Sequence, residues 1–182
     1  MPLHAVAQKL RLGLLAVSIA VAGATAIAQT DDIQDVTKLL RTGQVDQAAA
    51  RADKFLETKP KDAQMRFLKG VILTEQKKTP EAITQFMQLS TDFPELPEPY
   101  NNLAVIYAAQ GQYEKARAAL EMAVRVAPSW GTAHENLGDV YLKLAAQSYE
   151  KAAQFEPHNA NAARKLAQAR ELGATAAPTA KK

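Results

Sequence analysis

The sequence predicts an all-α protein built from stacked helix-turn-helix repeats, and four recurring columns of residues predict it. Pro60, Pro94 and Pro128 recur at intervals of 34 residues. The same interval separates Ala48, Ala82 and Ala116, and again Gly70, Ala104 and Gly138. Leu73, Tyr107 and Tyr141 keep it a further time. Four independent columns with one period of this length mark a stack of helical hairpins.

The chain begins with a targeting pattern. Lys9 and Arg11 precede an apolar stretch from Leu12 to about Ala22, and small residues lead to Ala26-Ile27-Ala28 and then polar Gln29 to Asp32. A basic region, a short apolar region and an A-x-A triplet form a secretory leader. The expectation is therefore a signal peptide over residues 1–28, cut after Ala28, with the remainder in the bacterial periplasm. The alternative is an uncleaved anchor, because residues 12–28 approach the length of a bilayer span. In that case the leader would be the only part to meet the membrane. The chain has 182 residues and no cysteine, which excludes disulfides, thiolate metal sites and a lipid-modified cysteine anchor. Its formal charge is +3, and loss of Lys9 and Arg11 with the leader leaves +1. So small a charge gives no electrostatic case for nucleic acid as a partner.

Each column has a physical reason to recur. Helices of a hairpin approach closely only where side chains are small, which assigns Gly70, Ala104 and Gly138 to first helices and Ala48, Ala82 and Ala116 to second helices. Leu73, Tyr107 and Tyr141, with Phe86 and Leu120, are expected to fill the space between units. The prolines end each second helix, since proline lacks the amide hydrogen and clashes with the preceding turn. Gly43 and Gly111 stand at equivalent helix ends, where a left-handed residue is needed. The middle repeat has Lys77 there, followed by Thr79-Pro80-Glu81, which read as N-cap, first helical residue and first-turn acid. Thr132 and Glu135 read as a capping box.

The segments Asn102 to Tyr107, Gly111 to Ala116 and Ala123 to Pro128 resemble the tetratricopeptide repeat (TPR) motif column by column. The stretch from Pro94 through Asp139 also resembles exported proteobacterial members of that family, a likeness that brings no activity with it. The resemblance implies a right-handed TPR solenoid over residues 29–159, with repeats at about 29–62, 63–96, 97–130 and 131–159. The first is the weakest match, with Asp32 and Leu39 at positions that are usually aromatic, and suits an end cap.

The fourth repeat breaks the period. Tyr141 keeps the interval of 34 from Tyr107, but Ala145 and Pro157 follow Ala116 and Pro128 by only 29 residues. Five residues are missing where the turn should be, and no glycine, proline or Asx residue replaces them. His134, Leu137, Tyr141, Leu144, Ser148, Ala152 and Phe155 recur on one helical face. A single fused helix from about Ala133 to Glu156 follows. Its second half either receives a capping helix over residues 160–173, or swaps into a second copy or docks a partner through Tyr149 and Phe155. The tail, 174–182, has no apolar periodicity and is expected to be disordered.

No catalytic constellation emerges. His134 occupies a position that is often tryptophan in the family and reads as a half-buried packing residue, and His158 lies at a helix boundary. No histidine pair has metal-ligand spacing, no serine sits in a nucleophile elbow, and there is no glycine-rich phosphate loop. The expectation is a non-enzymatic protein with no cofactor and no metal.

The resemblance implies that ligands lie along a concave groove lined by first helices. On this chain those positions are Gln64, Phe67, Val71 and Thr74, then Glu98, Asn101, Val105 and Ala108, then Glu135, Asp139 and Leu142. Phe67 reads equally as a groove anchor or a core residue, and Asn102 and Asn136 as structural. The family's clamp for C-terminal carboxylates needs lysine, asparagine and arginine, and the corresponding residues here include Ile33, Thr37 and Leu68. The functional expectation is a scaffold that binds an extended peptide or helix of a cell-envelope protein. The alternative is a structural protein that forms a homodimer through the fused helix.

Overall fold

A computed structural model of the chain describes residues 25–175. Most of the expected leader and the last seven residues of the expected tail lie outside the described residues. Eight helices run in order among them. They are α1 (Thr25–Arg41), α2 (Val45–Thr58), α3 (Ala63–Glu75), α4 (Thr79–Asp92), α5 (Pro97–Ala109), α6 (Tyr113–Val126), α7 (Gly131–Phe155) and α8 (Ala160–Thr175). Two compact bodies divide them, residues 25–99 and 100–175.

The prolines act as their spacing predicts. Pro60, Pro94, Pro128 and Pro157 each stand two residues beyond the last residue of a helix. The residue between, Lys59, Phe93, Ala127 or Glu156, has left the helical region while its amide still donates to the carbonyl four residues back. A residue before proline is driven to extended conformations, so the helix closes its last bond and stops. Gly43 and Gly111 take φ of 75° and 73°. Lys77 takes the same left-handed conformation at φ 60°. The middle turn is thus made like the others, with lysine in a glycine's place.

Two caps differ from expectation. Thr79 is the first helical residue of α4 behind Lys78, and neither Lys78 nor Trp130, the N-cap of α7, makes a side-chain capping bond. Gly131 already belongs to α7, so Thr132 and Glu135 lie inside the helix and form no capping box. Side-chain caps form at Asp62, whose carboxylate accepts from the Met65 amide at 2.8 Å, and at Asn159, whose Oδ1 accepts from the Ala162 amide at 2.9 Å.

In the first body α1 to α4 pack as two hairpins. Val36, Ala48, Ala52, Phe55, Met65, Leu68 and Ile72 form one buried cluster, and Ile33, Leu39 and Leu40 of α1 pack against it. The second hairpin shows why its glycine column exists. A Cβ added at Gly70 would lie 2.5 Å from Cε1 of Phe86, a ring that is wholly buried. In the second body Ala104, Ala116, Leu120 and Val140 are buried together, with Tyr107, Leu137 and Leu144 around them.

The fused helix is present and runs for 25 residues. Only Ala133 and Val140 of it are fully buried, both in its first half. Its second half receives α8, which buries Ala162 and Ala169 and continues through Gly173 to Thr175. Arg170 bridges to Glu150 at 2.7 Å. Three expectations for the fourth repeat do not hold. Gly138 is exposed and a Cβ there would meet nothing within 4 Å. Tyr141 is 47% exposed, its hydroxyl 3.3 Å from a Glu121 carboxylate oxygen. His134 is exposed too, with Nε2 2.8 Å from the Pro128 carbonyl. The expected roles of all three carry over from repeats that own a second helix, and the fused helix supplies none beside them.

Candidate protein-binding surface

The candidate groove residues are positioned by what their helices bury. In α3, Met65, Leu68 and Ile72 point into the core. The adjoining face therefore carries Gln64, which is exposed, and Phe67, Val71 and Thr74, which are half-buried. Phe67 belongs partly to the core and is partly accessible. One side of it packs on Phe86, with ring centroids 5.8 Å apart and planes tilted by 52°, while part of the ring stays accessible. Such a tilted pair is a favourable aromatic arrangement and fixes the ring in place. The Thr74 hydroxyl donates to the Gly70 carbonyl at 2.9 Å, so its methyl group is what remains for a ligand. Glu98 stands in the first turn of α5 and is half-buried.

In the second body Asn101 and Val105 sit one turn apart on α5 and are half-buried, as Asp139 is on α7, while Glu135 is exposed. The Asn136 amide donates to Oδ1 of Asn101 at 2.8 Å. Asn136 is thus structural as expected, and it orients Asn101, whose own amide hydrogens point elsewhere. Asn102 is buried. This portion presents amide and carboxylate groups around one apolar residue, Val105, whereas the α3 face is mainly apolar.

Of the two self-association candidates, Tyr149 is half-buried, with Lys165 Nζ 5.6 Å from its ring centroid. Phe155 is 84% exposed. One surface escaped sequence reasoning. Arg66, Thr84, Met87, Gln88, Thr91 and Asp92 line an open depression beside α3 and α4, where Arg66 and Asp92 form an ion pair of 2.6 Å. Only Met87, an exposed apolar residue in an otherwise polar row, could have signalled it.

Among the described residues, no three histidine, aspartate or glutamate side chains are grouped so as to hold a metal ion. No helix among them is long and apolar enough to cross a membrane. What the two bodies offer is partly exposed helix faces, and the class they define is a helical-repeat protein that works through its surface. The chain belongs to the tetratricopeptide repeat family: two family models, both described as tetratricopeptide repeat, match residues 36–97 and 97–129. It is 29% identical over 134 residues to the chloroplastic tetratricopeptide repeat domain-containing protein PYG7 of Arabidopsis thaliana, a match covering 68% of this chain. The match spans only 44% of that relative. Among solved structures, Pseudomonas aeruginosa pilF is similar with a TM-score of 0.61 at 21% identity, covering 86% of this chain and 80% of that one. The first TPR domain of Spaghetti (RPAP3), bound to the HSP90 peptide SRMEEVD, is similar with a TM-score of 0.59 at 17% identity. That likeness covers 70% of this chain and 99% of that one. At these identities the solved structures speak for the fold alone.

Proposed function

We propose that this chain is a non-enzymatic protein-interaction scaffold of the bacterial periplasm, binding an extended peptide or a helix of an envelope protein along the first-helix faces. The observation that carries the reading is the row Gln64, Phe67, Val71 and Thr74, which stays partly open to solvent directly beside the buried core face of α3. Helices already held by their cores present a preformed surface, so a ligand bears most of the ordering cost. The Spaghetti domain's capture of a peptide supports the mode of binding. It does not carry over the ligand, because Ile33, Thr37 and Leu68 stand where a carboxylate clamp needs polar and basic groups.

The leader pattern supports export. Val36 of α1 and the Ile33, Leu39 and Leu40 packed around it all lie downstream of a cut after Ala28. N-terminal sequencing of the protein recovered from a periplasmic fraction should then start at Gln29. A start at Met1 in a membrane fraction would replace secretion with anchoring. Binding is tested by crosslinking and pull-down from an envelope extract with the wild type, Val71→Lys and Asn101→Ala. The reading expects a partner captured by the wild type and lost on both substitutions, with helical circular dichroism unchanged. Capture indifferent to both substitutions would remove the first-helix faces from consideration.

A further inference from the structure

Helix α7 carries a seat for a helix and, further along, the helix that fits such a seat. In the first body the seat is Gly70, and the residue that fills it is Phe86, four residues after Ala82 on the covering helix. The column equivalents in the fourth repeat are Gly138 for the seat and Ala145 and Tyr149 for the cover. Ala145 also precedes Pro157 by 12 residues, as Ala82 precedes Pro94 and Ala116 precedes Pro128. Seat and cover lie on one uninterrupted helix, so neither can reach the other within a chain.

The seat is vacant within a single chain. A Cβ at Gly138 would meet nothing within 4 Å, and Tyr141 beside it is half exposed. With 3.6 residues per turn, Gly138, Ala145, Tyr149 and Ala152 fall in one narrow stripe along α7, and Phe155 lies about 100° around the helix from Gly138. Helix α6 packs on another side, through Leu137, Val140 and Leu144. Helix α8 lies on a third, where Gly173 neighbours Lys143 and Arg170 meets Glu150. Gly138 is left open, and Ala145, Tyr149 and Ala152 are half-buried, Tyr149 with Lys165 of α8 against its ring.

We propose that two copies of this chain pair their α7 helices antiparallel, the covering half of each filling the seat of the other. Placing Tyr149 of the second copy against Gly138 repeats the contact of Phe86 with Gly70. The same register sets Tyr141 against Ala145 and Ala146 of the second copy. The register is its own inverse: it puts a two-fold axis between Lys143 and Leu144, as an isologous interface requires. Small residues at Gly138, Ala145 and Ala152 permit close approach of the helices. This pairing is independent of groove binding and stands or falls separately from it.

Light scattering on the chromatographed full chain should give twice the single-chain mass. Gly138→Leu should give the single-chain mass with unchanged helical circular dichroism, because the new side chain meets nothing within its own chain and blocks only the second copy. The chain has no native cysteine, so Ala145→Cys should form an intermolecular disulfide on mild oxidation. Ala118→Cys, exposed on α6, should not. A single-chain mass for the wild type at every concentration would overturn the proposal. So would a dimer that survives Gly138→Leu, or equal crosslinking from Ala118→Cys.

Discussion

Gly70 and Gly138 occupy one column of the repeat and have opposite surroundings. Gly70 is pressed against a buried phenylalanine ring, and Gly138 opens on empty space. The difference lies downstream, in the turn that the second repeat makes at Gln76 to Lys78 and the fourth has lost. A repeat column therefore specifies a contact only together with the helix that completes it. Where that helix is present, the glycine is required for fit. Where it is absent, the same glycine is a surface residue with low helix propensity.

The largest test of this contrast is removal of the covering ring. Phe86 is wholly buried and packs on both Gly70 and Phe67. Phe86→Ala should cost about 3–5 kcal/mol in urea unfolding, as for other buried aromatic truncations. The equivalent truncation at Tyr149, half-buried in a single chain, should cost well under half of that when the protein is dilute. Equal losses would mean that the fourth repeat is as fully packed as the second, contrary to the exposure of Tyr141 and Phe155.

Next in size is the glycine itself. Gly70→Ala gains about 1 kcal/mol of helix propensity. It must also displace a ring that has nowhere to go, so overpacking of about 1–3 kcal/mol should leave a net loss. Gly138→Ala has no such neighbour and should raise single-chain stability by roughly 1 kcal/mol. The two substitutions are chemically identical and should have opposite signs in thermal unfolding. In a Phe86→Leu background the Gly70→Ala loss should shrink, since neighbours sharing a contact couple strongly in double-mutant cycles.

These residues also show what could be read from the sequence. The columns fixed the helix count, the proline stops and the fused helix, because each depends on a local rule: a lost amide donor, a left-handed turn residue or an unbroken helical period. Exposure of His134 and Tyr141 could not be read by the same column logic. Both were placed by analogy with repeats that own a second helix, although the missing turn already implied that no such helix could fold back. Caps failed for a smaller reason. Trp130 and Lys78 start their helices without a side-chain bond, and threonines one or two residues on were read as the caps. Boundary shifts of that size are the usual error of local signals. The binding face was legible as positions, but not as chemistry. That Asn136 would be used up orienting Asn101 depends on a bond between helices 35 residues apart.

The smallest expected effect concerns the three turns that begin the second helices. Gly43, Lys77 and Gly111 share one backbone conformation, in which the following amide reaches back across the helix end: Gln44 to Leu39, Lys78 to Leu73 and Gln112 to Tyr107, each at 2.9 Å. A left-handed lysine carries a strain of about 1–2 kcal/mol relative to glycine. Glycine gives part of that back, because its unfolded chain has more freedom to lose. Lys77→Gly should therefore stabilise the first body by only some 0.5–1 kcal/mol, and Gly111→Ala should destabilise the second by a similar amount. Thermal melts of the two variants should move in opposite directions by a few degrees. If Lys77→Gly melts lower than wild type, then the lysine side chain contributes more at that turn than its backbone strain costs, and the three turns are not equivalent despite their shared geometry.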